Sequence, residues 1–204
     1  MSSAPTGQMP RTLMQMAGAS SEPPPLAETA LVLIDCQREY VDGALPLTGI
    51  GPALAETAKV LAAARAAGAP VIHVVHRGRA GGGAFDPEGP YFTEADEVAA
   101  LAGESTIEKA LPNAFAGTDL QQTLEDLGRK QLLFAGFQTH MCISSTVRVA
   151  LDLGYASTVV ARACATRDLP DGEGGVVAAA DLHRASLAAL SDRFALVVAD
   201  STAW

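Results

Sequence analysis

Short, uniformly apolar runs recur along this chain and alternate with stretches of helical spacing, and that alternation restricts the fold more than any other feature. Ala30 to Ile34 is apolar at every position and ends in Asp35, the pattern of a strand covered on both faces rather than one. Gly51 to Ala67 then carries apolar residues at helical spacing, is closed by Gly68, and leads through Pro70 into a second run, Val71 to His76. Strand, helix and strand in that order form a βαβ unit, whose crossover requires a parallel pair. The pattern continues: Ser105 to Lys109 predicts a third strand, Asp119 to Gly128 a helix, Gln131 to Ala135 a strand and Cys142 to Gly154 a helix. Ser157 to Ala161 predicts a further strand, Gly174 to Leu190 a helix and Phe194 to Ala199 a last strand. The expected architecture is therefore α/β, a three-layer doubly wound sheet of about six mainly parallel strands with helices on both faces. Sites in such sheets gather at the carboxyl ends of the strands.

A chain of 204 residues, 49% of them hydrophobic, supplies one sizeable core, and a single domain over residues 29–204 is expected. Met1 to Glu28, rich in Met, Ser and Pro, reads as a flexible or surface-draped arm without the apolar core of a signal peptide. A net charge of −9 argues against a nucleic-acid partner, because no basic stripe is present to neutralise phosphates. No stretch approaches the about 20 uninterrupted apolar residues of a membrane span. A small molecule is the expected partner. Cys36, Cys142 and Cys164 are odd in number and lack paired spacing, which fits a reducing, cytoplasmic setting.

Cys142 follows the strand run Gln131 to Ala135 and opens a helical pattern. A thiol in the first turn of a helix feels the positive end of the dipole, which favours the thiolate; a buried core cysteine is the competing reading. Asp35 and Lys109 also fall at the carboxyl ends of predicted strands, so a parallel sheet brings all three residues to one edge. There a carboxylate can take the thiol proton and return it to a leaving amine, while an ammonium steadies both anions. Taken singly, Asp35 reads first as a cap and Lys109 first as a solvated surface charge.

Three ordered motifs add to this reading. They are the apolar strand ending in Asp35 with Gln37 beyond it, Ile107 to Lys109 followed by Asn113 to Phe115 and Thr118 to Leu120, and Gly136 to Cys142 with Thr146 and Ala150 to Tyr155 following. From Ala30 to about Val198 the sequence resembles the isochorismatase-like cysteine hydrolase superfamily, which includes nicotinamidases and N-carbamoylsarcosine amidases. The resemblance implies Cys142 as nucleophile, Asp35 as general base and acid, and Lys109 as the supporting charge. It also implies a cis peptide joining Phe137 to Gln138, with the backbone N–H groups of Gln138 and Cys142 facing a developing oxyanion. Members that cleave the vinyl ether of isochorismate lack the thiol, so Cys142 turns the implied substrate toward an amide, ureido or lactam group. An isochorismatase-type enzyme using Asp35 alone and a non-catalytic binding protein of the same fold are the alternatives. The family further suggests a homo-oligomer.

Other residues fit less directly. His73 and His76 are three apart in a strand and should face opposite ways, so no shared metal is expected, and no cofactor is implied. This chain also lacks the Asp-x-His pattern of the nicotinamidase branch. Gly78 to Gly83 lacks the lysine of a phosphate-binding loop and leads to Phe85 and Pro87 rather than into a helix, which argues against nucleotide binding. It reads as a mobile loop bordering the pocket. Gln37, His76, Phe85, Tyr91, Phe92, Phe115 and His140 are candidate pocket residues, each set against simple packing. Cys36 should face away from Asp35 and so from any redox contact with Cys142. Arg167 and Asp168 read as a local ion pair or an interface feature.

Overall fold

The computed structural model describes residues 9–204. Its main sheet contains β1 (Thr29–Ile34), β2 (Val71–His76), β3 (Ser105–Lys109), β4 (Gln131–Phe137) and β5 (Ala156–Ala165). A short antiparallel hairpin of β6 (Leu169–Pro170) and β7 (Val176–Val177) intervenes before the last sheet strand, β8 (Leu196–Val198). The order across the sheet is β3-β2-β1-β4-β5-β8, and every pairing is parallel. The chain thus builds outward from β1 in one direction and from β4 in the other. The crevice at their carboxyl ends is the topological switch point, where such sheets bind ligands.

Alternation along β1 explains why its whole length is apolar. Leu31 and Leu33 pack with Ala53, Leu54, Leu61 and Ala64 of α2 (Ile50–Ala66). Ala30, Val32 and Ile34 face Leu120 and Leu124 of α3 (Leu120–Asp126), Val147 and Ala150 of α4 (Ser144–Asp152) and Leu190 of α5 (Ala179–Arg193). Both faces are covered, which is what a uniformly apolar parallel strand requires.

Several boundaries depart from those read in the sequence. β4 continues past Ala135 to Phe137, and β5 continues past Ala161 to Ala165 because it bulges: Phe134 pairs with Val159, whereas Gly136 pairs with Cys164. The exposed Arg162 inside that bulge looks like a strand end when only alternation is followed. The helix expected from Gly174 begins instead at Ala179, whose N–H donates to Asp168 Oδ1 at 2.7 Å. Gly175 belongs to a turn closed by Asp171, and Val176 and Val177 form β7. Cys142 does not open α4 but lies just before it, in the π-helical turn Thr139–Ile143.

Within the N-terminal arm, residues 1–8 lie outside the described residues. Beyond them a single turn of helix, α1 (Leu13–Met16), is capped by Thr12, and the Leu13 N–H donates to Asp192 Oδ1 at 2.8 Å. The Trp204 indole N–H donates to the Pro24 carbonyl at 2.7 Å, so the arm is fastened at two points to the chain's last quarter. Among the described residues no helix is long and apolar enough to cross a membrane.

Gly136 sits where β4 comes closest to β1. Its φ is +119°, and a Cβ there would lie 2.1 Å from the Ile34 carbonyl oxygen. Gly128 has φ +63° but open space around it. We expect Gly136→Ala to lower unfolding free energy by about 2–4 kcal/mol, adding backbone collision to an unfavourable φ. Gly128→Ala should lose only about 1 kcal/mol; chemical denaturation of the two variants measures the difference.

Candidate active site

Strand alternation would place Asp35 on the same face as Leu31 and Leu33, toward α2 and away from Cys142. It does not lie there. Asp35 has φ +52°, and this left-handed residue interrupts the alternation, so that its carboxylate meets Lys109 on the α3 and α4 side while Cys36 joins the α2-facing core. Asp tolerates that conformation better than most residues, at about 1–2 kcal/mol.

Lys109 ends β3, two strands from β1, and its long side chain crosses β2 to reach the carboxylate. Its Nζ lies 2.8 Å from Asp35 Oδ2, 3.4 Å from Cys142 Sγ and 3.1 Å from His76 Nδ1. Asp35, Lys109 and Cys142 are all buried, with at most 3% of their surface exposed. The π-helical turn sets the thiol: the N–H groups of Met141 and Ile143 both donate to the Gln138 carbonyl, at 3.0 and 3.3 Å. The peptide joining Phe137 to Gln138 is cis.

Burial pushes the Asp35 carboxyl above its ordinary range, with Lys109 pulling it back. Burial, and next the Asp35 charge, push the Cys142 thiol up to about 12 against the opposing pull of Lys109. Both causes favour the protonated thiol, against the dipole-stabilised thiolate expected from the sequence: Cys142 lies just before α4 rather than in its first turn, and desolvation beside a carboxylate opposes the helix terminus.

The remaining sequence-predicted residues divide. The His76 imidazole touches Lys109, and burial first and Lys109 second lower its pKa to about 4, so it is neutral at physiological pH. Phe85 is buried and meets the His76 and Tyr40 rings edge-on, at centroid distances of 4.9 and 5.1 Å. The loop carrying it is pinned, since Phe85 N–H donates to Glu39 Oε2 at 3.1 Å and Gly78 N–H to the Phe85 carbonyl at 2.8 Å. Gln37 is buried and turned to backbone. Its amide donates to the carbonyls of His76 and Phe92, at 3.0 and 2.8 Å, and accepts from the His76 N–H at 2.8 Å. It is a tie between β1 and β2 rather than an open pocket wall.

Tyr91 and Phe92 are half-buried and lie against the guanidinium groups of Arg38 and Arg77. Phe115 stacks on Tyr155, which precedes β5 and so lies at the amino-terminal side of the sheet, opposite the thiol. Its place among pocket residues is therefore corrected to packing. His140 bonds Thr166 Oγ1 through Nδ1 at 2.6 Å, and its buried Nε2 has no protein partner. Of the two readings of Arg167 and Asp168, the local ion pair is not seen among the described residues: Asp168 Oδ1 accepts from the Ala179 N–H at the start of α5, and Arg167 Nε is buried without a partner among them.

His73 and His76 do face opposite ways, with His73 held between Glu94 and Glu104 at 2.7 and 3.0 Å. Tyr40 was not singled out from the sequence. It is buried among Phe85 and Phe137 and its hydroxyl accepts from Gln138 Nε2 at 3.4 Å. The only signal was an aromatic residue shortly after a strand-ending acid.

A doubly wound sheet with a buried acid, ammonium and thiol at its switch point defines an α/β enzyme. Residues 29–201 match the isochorismatase domain, and the chain belongs to the isochorismatase family, as a hydrolase. A crystal structure of an isochorismatase from Pseudomonas putida superposes with a TM-score of 0.89 at 42% identity, covering 95% of this chain and 99% of that one. The secreted isochorismatase effector of Verticillium dahliae is 36% identical over 86% of this chain and 92% of its own. Streptothricin hydrolase of Streptomyces noursei is 33% identical over 81% of this chain and 57% of its own. Ureidoacrylate amidohydrolase of Pseudomonas syringae is 30% identical over 67% of this chain and 70% of its own.

Removing Lys109 would strand the Asp35 charge in the interior. Lys109→Met is expected to lower stability at pH 7.5 by about 3 kcal/mol. In that variant the Asp35 pKa stands above its unfolded value, so the folded state binds the extra proton and the deficit shrinks as pH falls toward 4.5. Asp35→Asn combined with Lys109→Met should recover most of the loss. Urea unfolding of the three proteins at the two pH values checks this.

Proposed function

We propose that the protein hydrolyses a small amide, ureido or lactam-type substrate through a thioester on Cys142. The observation that carries this reading is the single ammonium, Lys109 Nζ, within reach of both Asp35 Oδ2 and Cys142 Sγ in a buried site. As Sγ bonds to the substrate carbonyl carbon, its proton passes to Asp35 and the carbonyl π electrons move onto oxygen. The backbone N–H groups of Gln138 and Cys142 stabilise that oxyanion, an effect worth about 10²–10³ in rate per donor. Collapse of the tetrahedral intermediate breaks the C–N bond, and Asp35 returns the proton to the departing nitrogen. Water then attacks the thioester, giving its proton to Asp35, and the carboxylic product leaves as the thiol is re-formed.

The resting thiol makes this order of events necessary. A sulfur whose pKa is pushed to about 12 contributes almost no thiolate at neutral pH, so the rate depends on an ionised Asp35 rather than on free thiolate. The similarity to an enzyme named as a ureidoacrylate amidohydrolase supports a C–N bond as the target.

Cys142→Ala is expected to reduce turnover of a responsive amide by at least about 10³-fold. Incubation of the native protein with an amide library, followed by intact-mass analysis, should show an acyl adduct that is absent from Cys142→Ala. Full turnover by Cys142→Ala would overturn the mechanism, and isochorismate hydrolysis surviving Cys142→Ser would select vinyl ether chemistry instead. The kcat/KM profile should fall on its acid side as Asp35 protonates, at a pH above the ordinary carboxylate range because burial raises that group.

A further inference from the structure

The register of the sheet places His76 directly opposite Lys109, so the lysine must pass over this imidazole to reach β1. We propose that His76 is a positioning residue: its Nδ1 lone pair takes one proton of the Lys109 ammonium and so holds that ammonium beside Asp35 with another N–H directed at Cys142. This rests on the thioester reading above and adds a residue to it.

The distances gather three groups around the ammonium. Lys109 Nζ has three N–H bonds; His76 Nδ1 at 3.1 Å and Cys142 Sγ at 3.4 Å lie in hydrogen-bond geometry, and Asp35 Oδ2 at 2.8 Å is its ion-pair partner, outside that geometry. Sulfur is the weakest of these acceptors, so an ammonium lacking the imidazole would be free to rotate away from the thiol. An acceptor at Nδ1 fixes the tautomer, with the proton on Nε2. The imidazolium form cannot serve, because it would present an N–H to the ammonium. Burial and the Lys109 charge keep the ring neutral down to about pH 4.

The ring is itself held from two sides. Gln37 grips the His76 backbone through both its N–H and its carbonyl, at 2.8 and 3.0 Å, and the Phe85 ring closes on it edge-on. A chain of contacts therefore runs from Gln37 and Phe85 through His76 to the ammonium and the thiol.

The discriminating pair is His76→Leu, which removes the acceptor, and His76→Asn, whose Oδ1 can replace Nδ1. The readouts are the second-order rate of Cys142 alkylation by iodoacetamide at pH 7.5 and the thermal midpoint of each variant. His76→Leu should react about tenfold more slowly, the equivalent of one hydrogen bond to a charged group. His76→Asn should recover most of that loss, to within about threefold of the native rate. Two-bond ¹H–¹⁵N correlations on the folded native protein should show the Nε2–H tautomer, unchanged down to pH 5.

A native rate in His76→Leu, an Asn variant as slow as the Leu variant, or an Nδ1–H tautomer would each overturn the proposal. Lys109→Met separates the two readings. If it slows alkylation while His76→Leu does not, only the role of His76 fails. If Lys109→Met also alkylates at the native rate, the role of the lysine fails with it.

Discussion

The contact between Asp35 and Lys109 governs the arrangement of the site. Both side chains are fully buried, and an ammonium 2.8 Å from a carboxylate is stable there only because each removes the isolation of the other. The pair also acts as a mechanical span. Lys109 comes from the edge strand β3 and Asp35 from the central β1, so their meeting requires that β2 lie between them in parallel register, with its last residue at the height of the crossing side chain. A shift of register by one residue would reverse the face presented by Lys109 and leave two unpaired charges in the core.

The Cys142 thiol is set from the other half of the sheet by backbone rather than by charge. Gly136 permits β4 to approach the Ile34 carbonyl more closely than a Cβ would allow, and the π-helical turn that follows gathers two N–H groups onto the Gln138 carbonyl. The sulfur is thereby carried to the Lys109 ammonium. The bulge in β5 belongs to the same adjustment, because it lets Cys164 and Ala165 remain paired with Gly136 and Phe137 as β4 lengthens. Acid and ammonium thus come from one half of the fold and thiol from the other, meeting where the winding direction reverses.

The layered architecture was legible because burial on both faces leaves a direct trace: Ala30 to Ile34 has no polar position to spare. Asp35, Lys109 and Cys142 could be grouped for a related reason, since parallel strands bring their carboxyl ends to one edge whatever their separation in sequence. The failures came where local backbone breaks the regular periods. Alternation predicts the face of a strand residue only while φ stays negative, and at Asp35 it does not. The start of α5 was misplaced because Gly174 to Val177 carries a turn and a short strand within an otherwise apolar stretch. Phe115 and Gln37 stood in the right motifs, yet which way a side chain turns in a loop depends on partners distant in sequence, namely Tyr155 for one and the His76 and Phe92 backbone for the other.

The burial and raised pKa of Cys142 have a consequence for how its sulfur meets other reagents. Peroxides, stray electrophiles and soft metal ions react with thiolates far faster than with thiols, and more readily at exposed sulfur than at buried sulfur. Cys142 is 3% exposed, and burial together with the Asp35 charge favours its protonated form. The same desolvation that makes the sulfur a poor nucleophile when alone shields it from irreversible oxidation.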